Sequence, residues 1–112
     1  MAITARGLKD PSALDGAPRV YCLIGDGELA EGSNAEAIQL AGRLSLANLT
    51  VIVIDNESST YGWPGGIASR FEVEGWSTST IDGRDHQQIE QALSARRTDR
   101  PGVVVAAVRD LR

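Results

Sequence analysis

Four short runs of apolar, mostly β-branched residues alternate with stretches of helical periodicity, and together they predict an α/β protein. The expected architecture is a parallel β-sheet flanked by helices, in the order β-α-β-α-β-α-β. Two observations point there. Three of the runs are nearly continuous rather than alternating, which suits strands covered on both faces. Each connection is also long enough to hold a helix, as a parallel crossover needs, and such crossovers are right-handed.

The first strand, residues 20–24, reads Val-Tyr-Cys-Leu-Ile and runs into Gly25-Asp26-Gly27-Glu28. Residues 29–46 then predict a long helix. Ala37, Ile38, Ala41, Leu44 and Leu46 fall near one stripe, and Glu31, Asn34, Arg43 and Ser45 fall elsewhere. A second strand, residues 50–54, ends in Asp55-Asn56. The turn-rich segment 57–66 (ESSTYGWPGG) follows as a long internal loop, a kind of segment that often carries function. Residues 66–74 predict a short helix with Ile67 and Phe71 as its apolar positions and Gly75 as its stop. The polar strand 77–81 belongs at a sheet edge. Asp85 caps a third helix carrying Ile89, Ala92 and Leu93, with Arg96 and Arg97 in its last turn. The run 103–108 supplies the fourth strand. The expected strand order is 3-2-1-4, with the first two strands adjacent.

The chain has 112 residues, enough for one domain or a piece of a larger one but not for two. A single cysteine, Cys22, excludes an internal disulfide, and mid-strand it reads as a small buried hydrophobe. Eleven basic residues against fifteen acidic ones give a net charge of -4, which argues against a nucleic-acid partner bound through a broad basic face. No run is long and apolar enough to cross a membrane. The opening MAITARGLKD has no signal-peptide core, so a cytoplasmic location is expected. Residues 2–9 read as the last turns of a helix, and the chain is expected to begin in mid-fold.

Chemistry concentrates where the first two strands end. In a parallel sheet, ligands gather beyond the carboxyl ends of the strands. Glycines on either side of Asp26 let an anion approach the backbone, and the helix that follows offers free N–H groups to a phosphate. A carboxylate repels a bare phosphate. It becomes useful when a divalent cation lies between them, because magnesium takes one or two protein oxygens plus phosphate oxygens. Asn56, at the end of the second strand, offers a second oxygen, and a backbone carbonyl of the turn beyond it a third. Taken alone, Gly-Asp-Gly also fits a tight strand-to-helix turn with Asp26 as a helix cap, and Asn56 fits a turn residue. Glu31 and Glu36, five apart, read on their own as helix surface. His86, the only histidine, reads as solvated. Trp63 fits loop packing and Trp76 strand-edge packing.

Asp26 and Asn56 stand about thirty residues apart, one at each of two successive strand ends. That arrangement resembles the thiamine diphosphate signature. The stretches VYCLIGDGELAEGSNAEAIQLAGRLSLANLTVIVIDN, GGIASRFEVEGW, IDGRDHQQIEQAL and DRPGVVVAAVR resemble transketolase in particular, over about residues 19–109.

The resemblance implies that Asp26, Asn56 and the backbone carbonyl of Ser58 bind Mg2+, with Ca2+ as an alternative ion. It implies that Gly27 contacts the diphosphate, with Glu28 beside it at the cofactor. Glu31 and Glu36 would form an acidic relay between two active sites at a subunit interface. The activity implied is transfer of a two-carbon ketol unit between sugar phosphates. Residues 1–112 then form a single domain, the truncated central part of a diphosphate-binding domain. In this family the glutamate that activates the aminopyrimidine ring comes from a separate pyrimidine-binding domain, and the substrate-binding histidines lie outside the matching stretch. The chain is therefore expected to be inactive alone. It is also expected to form a homo-oligomer, or to join a companion chain carrying the pyrimidine-binding domain, using the 29–46 helix. A non-catalytic transketolase-like binding or interaction protein is the alternative.

Overall fold

The computed structural model describes residues 19–29, 31–56, 63, 65–95 and 99–108. Its elements run β1 (Val20–Gly25), α1 (Asp26–Leu29), α2 (Gly32–Arg43), β2 (Leu49–Asp55), α3 (Ile67–Glu72), β3 (Ser77–Asp82), α4 (His86–Ser94) and β4 (Gly102–Ala107). All strand pairs are parallel, and the sheet is flanked by helices, as the sequence implies.

The strand order is β1-β2-β4-β3 and not 3-2-1-4. Burial explains the correction. Residues 102–106 of β4 are all buried, so this Gly-Val-Val-Val-Ala run needs cover on both faces and neighbours on both sides. Strand β1 instead leaves Tyr21 46% and Leu23 66% exposed, which places it at an edge. The second edge is the Ser/Thr-rich β3, as its polar alternation predicts.

One face of the sheet holds the core. Alternate residues Ile24, Val51, Val53, Val103 and Val105 pack there with Leu29, with Ile38 and Ala41 of α2, with Ile67 and Phe71 of α3, and with Trp76. Trp76 is a core residue rather than strand-edge packing: it is 2% exposed, and its Nε1–H donates to the Ile38 carbonyl at 2.9 Å. On the opposite face lies α4, whose Leu93 carbonyl accepts from the Arg19 guanidinium at 3.0 Å and the Tyr21 hydroxyl at 3.4 Å. Cys22 is half-buried and not fully enclosed. Trp63 packs against the core from the loop, with the Arg70 guanidinium 5.5 Å above its ring.

The predicted 29–46 helix is the shorter α2, and a separate single turn, α1, precedes it and ends at Leu29. Glu31 has extended backbone (φ -70°, ψ 136°) and separates α1 from α2. At its far end α2 stops at Arg43. Ser45 adopts a left-handed φ of 53°, its N–H bonds to the Gly42 carbonyl and the Leu46 N–H to the Ala41 carbonyl. These paired bonds close a helix terminus without the usual glycine. Leu40 and Leu44 are left 57% and 40% exposed on the outside of the α2 segment.

Helix α4 begins where Asp85 predicts. Its Oδ1 accepts from the N–H groups of Gln87 at 3.0 Å and Gln88 at 3.2 Å. These bonds, that from the Gln88 N–H first, hold the carboxyl below its ordinary pKa. A lowered folded pKa means that the cap stabilises the fold above the unfolded value and loses that contribution as pH falls through the folded one. Asp85→Ala is accordingly expected to lower the melting temperature at neutral pH, with the difference from wild type shrinking as the pH drops into the acid range. Thermal melts of both proteins across pH check this. A pH-independent difference contradicts it.

Candidate functional site at the β1 and β2 strand ends

Strands β1 and β2 pair in register from Val20 with Leu49 to Gly25 with Ile54, so their carboxyl ends lie side by side. The residues that follow are Asp26 and Asn56. Parallel pairing alone brings these two positions together. Asp26 opens α1 and is fully buried at 0% exposure, and its Oδ1 accepts from the Asn56 backbone N–H at 3.4 Å. Gly27 is half-buried and Asn56 itself exposed. Glu28 turns back over the end of β1, its Oε1 accepting from the Gly25 N–H at 3.4 Å.

The carbonyl of Glu28 has two partners, one from the break before α2 and one from α2 itself. It accepts from the Glu31 N–H at 3.1 Å and from the Asn34 side-chain amide at 2.5 Å. In an uninterrupted helix this carbonyl would bond to the Gly32 N–H four residues on. Asn34, at 1% exposure, shares the buried side of α2 with Ile38 and Ala41. The sequence reading placed Asn34 off the apolar stripe and missed it. The spacing 34, 38, 41 was the available signal.

Glu31 and Glu36 are both exposed on the α2 side of the site. Ser58 lies outside the described residues. His86 is exposed at the start of α4, away from these strand ends. A groove of about 420 Å³ lies between β3, β4 and α4, lined among others by Ser77, Ser79, Gln88 and Gln91. It contains none of the predicted site residues.

The donor set suits a hard divalent cation held jointly with a phosphate ligand. Asp26 supplies a carboxylate fixed at the end of β1, and the Asn56 backbone N–H donates to it, which puts the asparagine beside it at the end of β2. Among the described residues no three His, Cys, Asp or Glu side chains converge as a metal cluster. A cation here would accordingly draw most of its ligands from phosphate, backbone and water oxygens, which is the habit of magnesium.

The family profile of the transketolase, thiamine diphosphate binding domain matches residues 1–109. The chain belongs to this family. Its relatives include "Ferredoxin fas2" of Rhodococcoides fascians, 56% identical over 92 residues, which cover 82% of this chain and 30% of that protein. A transketolase of Sinorhizobium medicae is 38% identical over 95 residues, covering 80% of this chain and 14% of the relative. Among solved structures, a Pichia stipitis transketolase in complex with xylulose 5-phosphate superposes with TM-score 0.76 at 27% identity, covering 92% of this chain and 17% of that one. The Campylobacter jejuni transketolase superposes with TM-score 0.68 at 28% identity, covering 91% and 18%. The chain thus spans less than a third of the length of these relatives. Membership in the thiamine diphosphate binding domain family and a transketolase-like fold are what these matches support.

Proposed function

We propose that this chain is the metal and diphosphate anchor of a transketolase-like enzyme. The observation that carries the reading is the fully buried Asp26 at the end of β1, held against the Asn56 N–H at the end of β2. Asp26 and Asn56, with the backbone carbonyl of Ser58, would hold Mg2+ or Ca2+, and Gly27 and Glu28 would line the diphosphate. Thiamine diphosphate, when bound, supplies a nucleophilic carbon and an electron sink for breaking a carbon–carbon bond beside a carbonyl. The chain's own part is electrostatic and positional. Asp26 offsets the cation's charge from a fixed place at the sheet, and the glycine turn lets the phosphates approach the backbone. Glu31 and Glu36, both exposed, would make the acidic contact with a second subunit. The sugar-binding and proton-transfer groups for two-carbon transfer between sugar phosphates come from a companion domain or chain.

Titration of the folded chain with thiamine diphosphate plus magnesium, followed by calorimetry and tryptophan fluorescence, tests the reading. Saturable, magnesium-dependent binding is expected, lost on Asp26→Ala with the circular dichroism spectrum unchanged. No binding by the folded wild-type chain at millimolar cofactor overturns it. With ketose donor and aldose acceptor added, the isolated chain is expected to show no turnover, because a one-walled site neither positions the sugar nor moves its protons. Turnover lost on Asp26→Ala would show a self-sufficient active site.

The 56% identical relative favours a second reading. It is named a ferredoxin, so the same anchor would serve a thiamine diphosphate enzyme that oxidises a 2-oxo acid by two electrons, with loss of carbon dioxide, and passes those electrons to an iron–sulfur carrier. Reduction of an added ferredoxin by the completed enzyme, with no ketol transfer, would select this reading over the first.

A further inference from the structure

We propose that Asn34 is a positioning residue that fixes the cofactor-binding turn from beneath. The inference rests on the metal and diphosphate reading of Asp26 and Gly27, and it is carried by three features of the structure.

Helix α1 is a single turn of four residues, Asp26–Leu29. One turn of helix has no stability of its own, since the nucleus fixes several dihedrals for one hydrogen bond. Its orientation therefore depends on what holds each end. At the front, Asp26 Oδ1 accepts from the Asn56 N–H. At the back, the Glu28 carbonyl is held by the Asn34 amide and the Glu31 N–H.

The chain also breaks between α1 and α2 at this carbonyl. The extended backbone of Glu31 removes the helical bond that Glu28 would otherwise accept. Asn34 reaches six residues back to supply a replacement donor. The break and the asparagine belong together: with the helical bond gone, the carbonyl keeps only the 3.1 Å bond from the Glu31 N–H, and Asn34 gives it a second donor that comes from inside α2 and so ties the two helices to each other.

Finally, Asn34 is a polar residue at a buried, apolar-facing helix position. Its neighbours on that side, Ile38 and Ala41, are 5% and 0% exposed, and Asn34 is 1%. Alanine or leucine there would continue the stripe and favour the helix. A residue that breaks the local rule is expected where a functional turn has to be held.

The three features give Asn34 a role in function that acts through α1. It touches neither cation nor cofactor. It sets the position and rigidity of the turn whose first residues, Asp26 and Gly27, do so. Outer partners of this kind typically change metal affinity by about 10- to 100-fold when removed.

The experiment has two readouts on the full chain. The first is affinity for thiamine diphosphate with magnesium. Asn34→Ala is expected to bind about 10- to 100-fold more weakly than wild type while keeping its circular dichroism spectrum. Affinity equal to wild type overturns the proposal. Asn34→Asp provides the chemical test and serves as well if the alanine variant fails to fold. Its carboxylate cannot donate to the Glu28 carbonyl, but a protonated carboxyl can, so its deficit relative to wild type at the same pH is expected to narrow as pH falls. A deficit constant with pH, or none, overturns the proposal.

The second readout needs no cofactor. Amide hydrogen exchange in the free protein is expected to speed up in the Asp26–Leu29 turn of either variant, with β2 and β4 unchanged. Unchanged exchange in that turn overturns the positioning role. If wild type binds no cofactor, the reading of the strand ends as a diphosphate site fails, and the exchange data still decide what Asn34 does.

Discussion

Phe71→Ala is expected to destabilise the fold by about 3–5 kcal/mol, as removal of a buried phenyl ring does elsewhere. Native domains hold only about 5–15 kcal/mol in total, so much of the variant population should be unfolded at body temperature. Phe71 is 0% exposed, and its ring meets Trp76 edge-on, with centroids 5.0 Å apart and planes at 76°. Trp76 in turn bonds to the Ile38 carbonyl. The ring therefore supports a side chain that ties the segment after α3 to α2, and its loss loosens two helices at once. Urea unfolding followed by circular dichroism measures the effect. Val73→Ala is the control, since Val73 is 79% exposed and its truncation should change stability by less than about 0.5 kcal/mol. A loss below about 1 kcal/mol for Phe71→Ala contradicts the assignment of this ring to the core.

Gly42→Ala is expected to destabilise as well, against the direction that helix propensity gives. Inside an exposed helix, alanine is favoured over glycine by about 1 kcal/mol. Gly42 is not exposed in that sense. A Cβ there would land on the backbone carbonyl of Glu74, with the Trp76 indole nitrogen 3.3 Å away. A backbone atom cannot swing aside as a side chain can, so α2 and the segment following α3 must move apart. Overpacking of this kind costs about 1–3 kcal/mol, enough to outweigh the propensity gain. A melting temperature equal to or above wild type would show that the two segments separate without penalty.

Both substitutions touch the place where sequence reading was weakest. Strands and helices were legible because each carries its own period: the Val-Val-Val run of β4, the Ser/Thr alternation of β3, the Asp85 cap of α4. The neighbouring of Asp26 and Asn56 was legible too, because strands joined by one short helical crossover often pair, and a parallel pair places its carboxyl ends side by side. What failed was non-local or lacked a local marker. The strand order depended on which run is buried on both faces, and β1 and β4 look alike as apolar strings. Helix α2 ends at a serine in left-handed conformation, where a glycine would have announced the stop. Trp76 looked like edge packing because its partner, the Ile38 carbonyl, is 38 residues away. Asn34 falls off the predicted apolar stripe, and its partner is a backbone carbonyl, which leaves no trace in a sequence.

The strand order carries a consequence for how the molecule comes into being. Strand β3 pairs only with β4, and β4 is inserted between β2 and β3 although it is made last of the four. As the nascent chain leaves the ribosome, β1 and β2 have each other, but β3 has no neighbour to zip onto until residues 102–107 emerge. Val51 and Val53 likewise gain Val103 and Val105 beside them on the core face of the sheet only then. Long-range parallel pairing is slow, and apolar strands held open during synthesis are prone to aggregate. A ribosome stalled before β4 would hold a half-built sheet, because β2 and β3 gain the strand that joins them only when residues 102–107 are out.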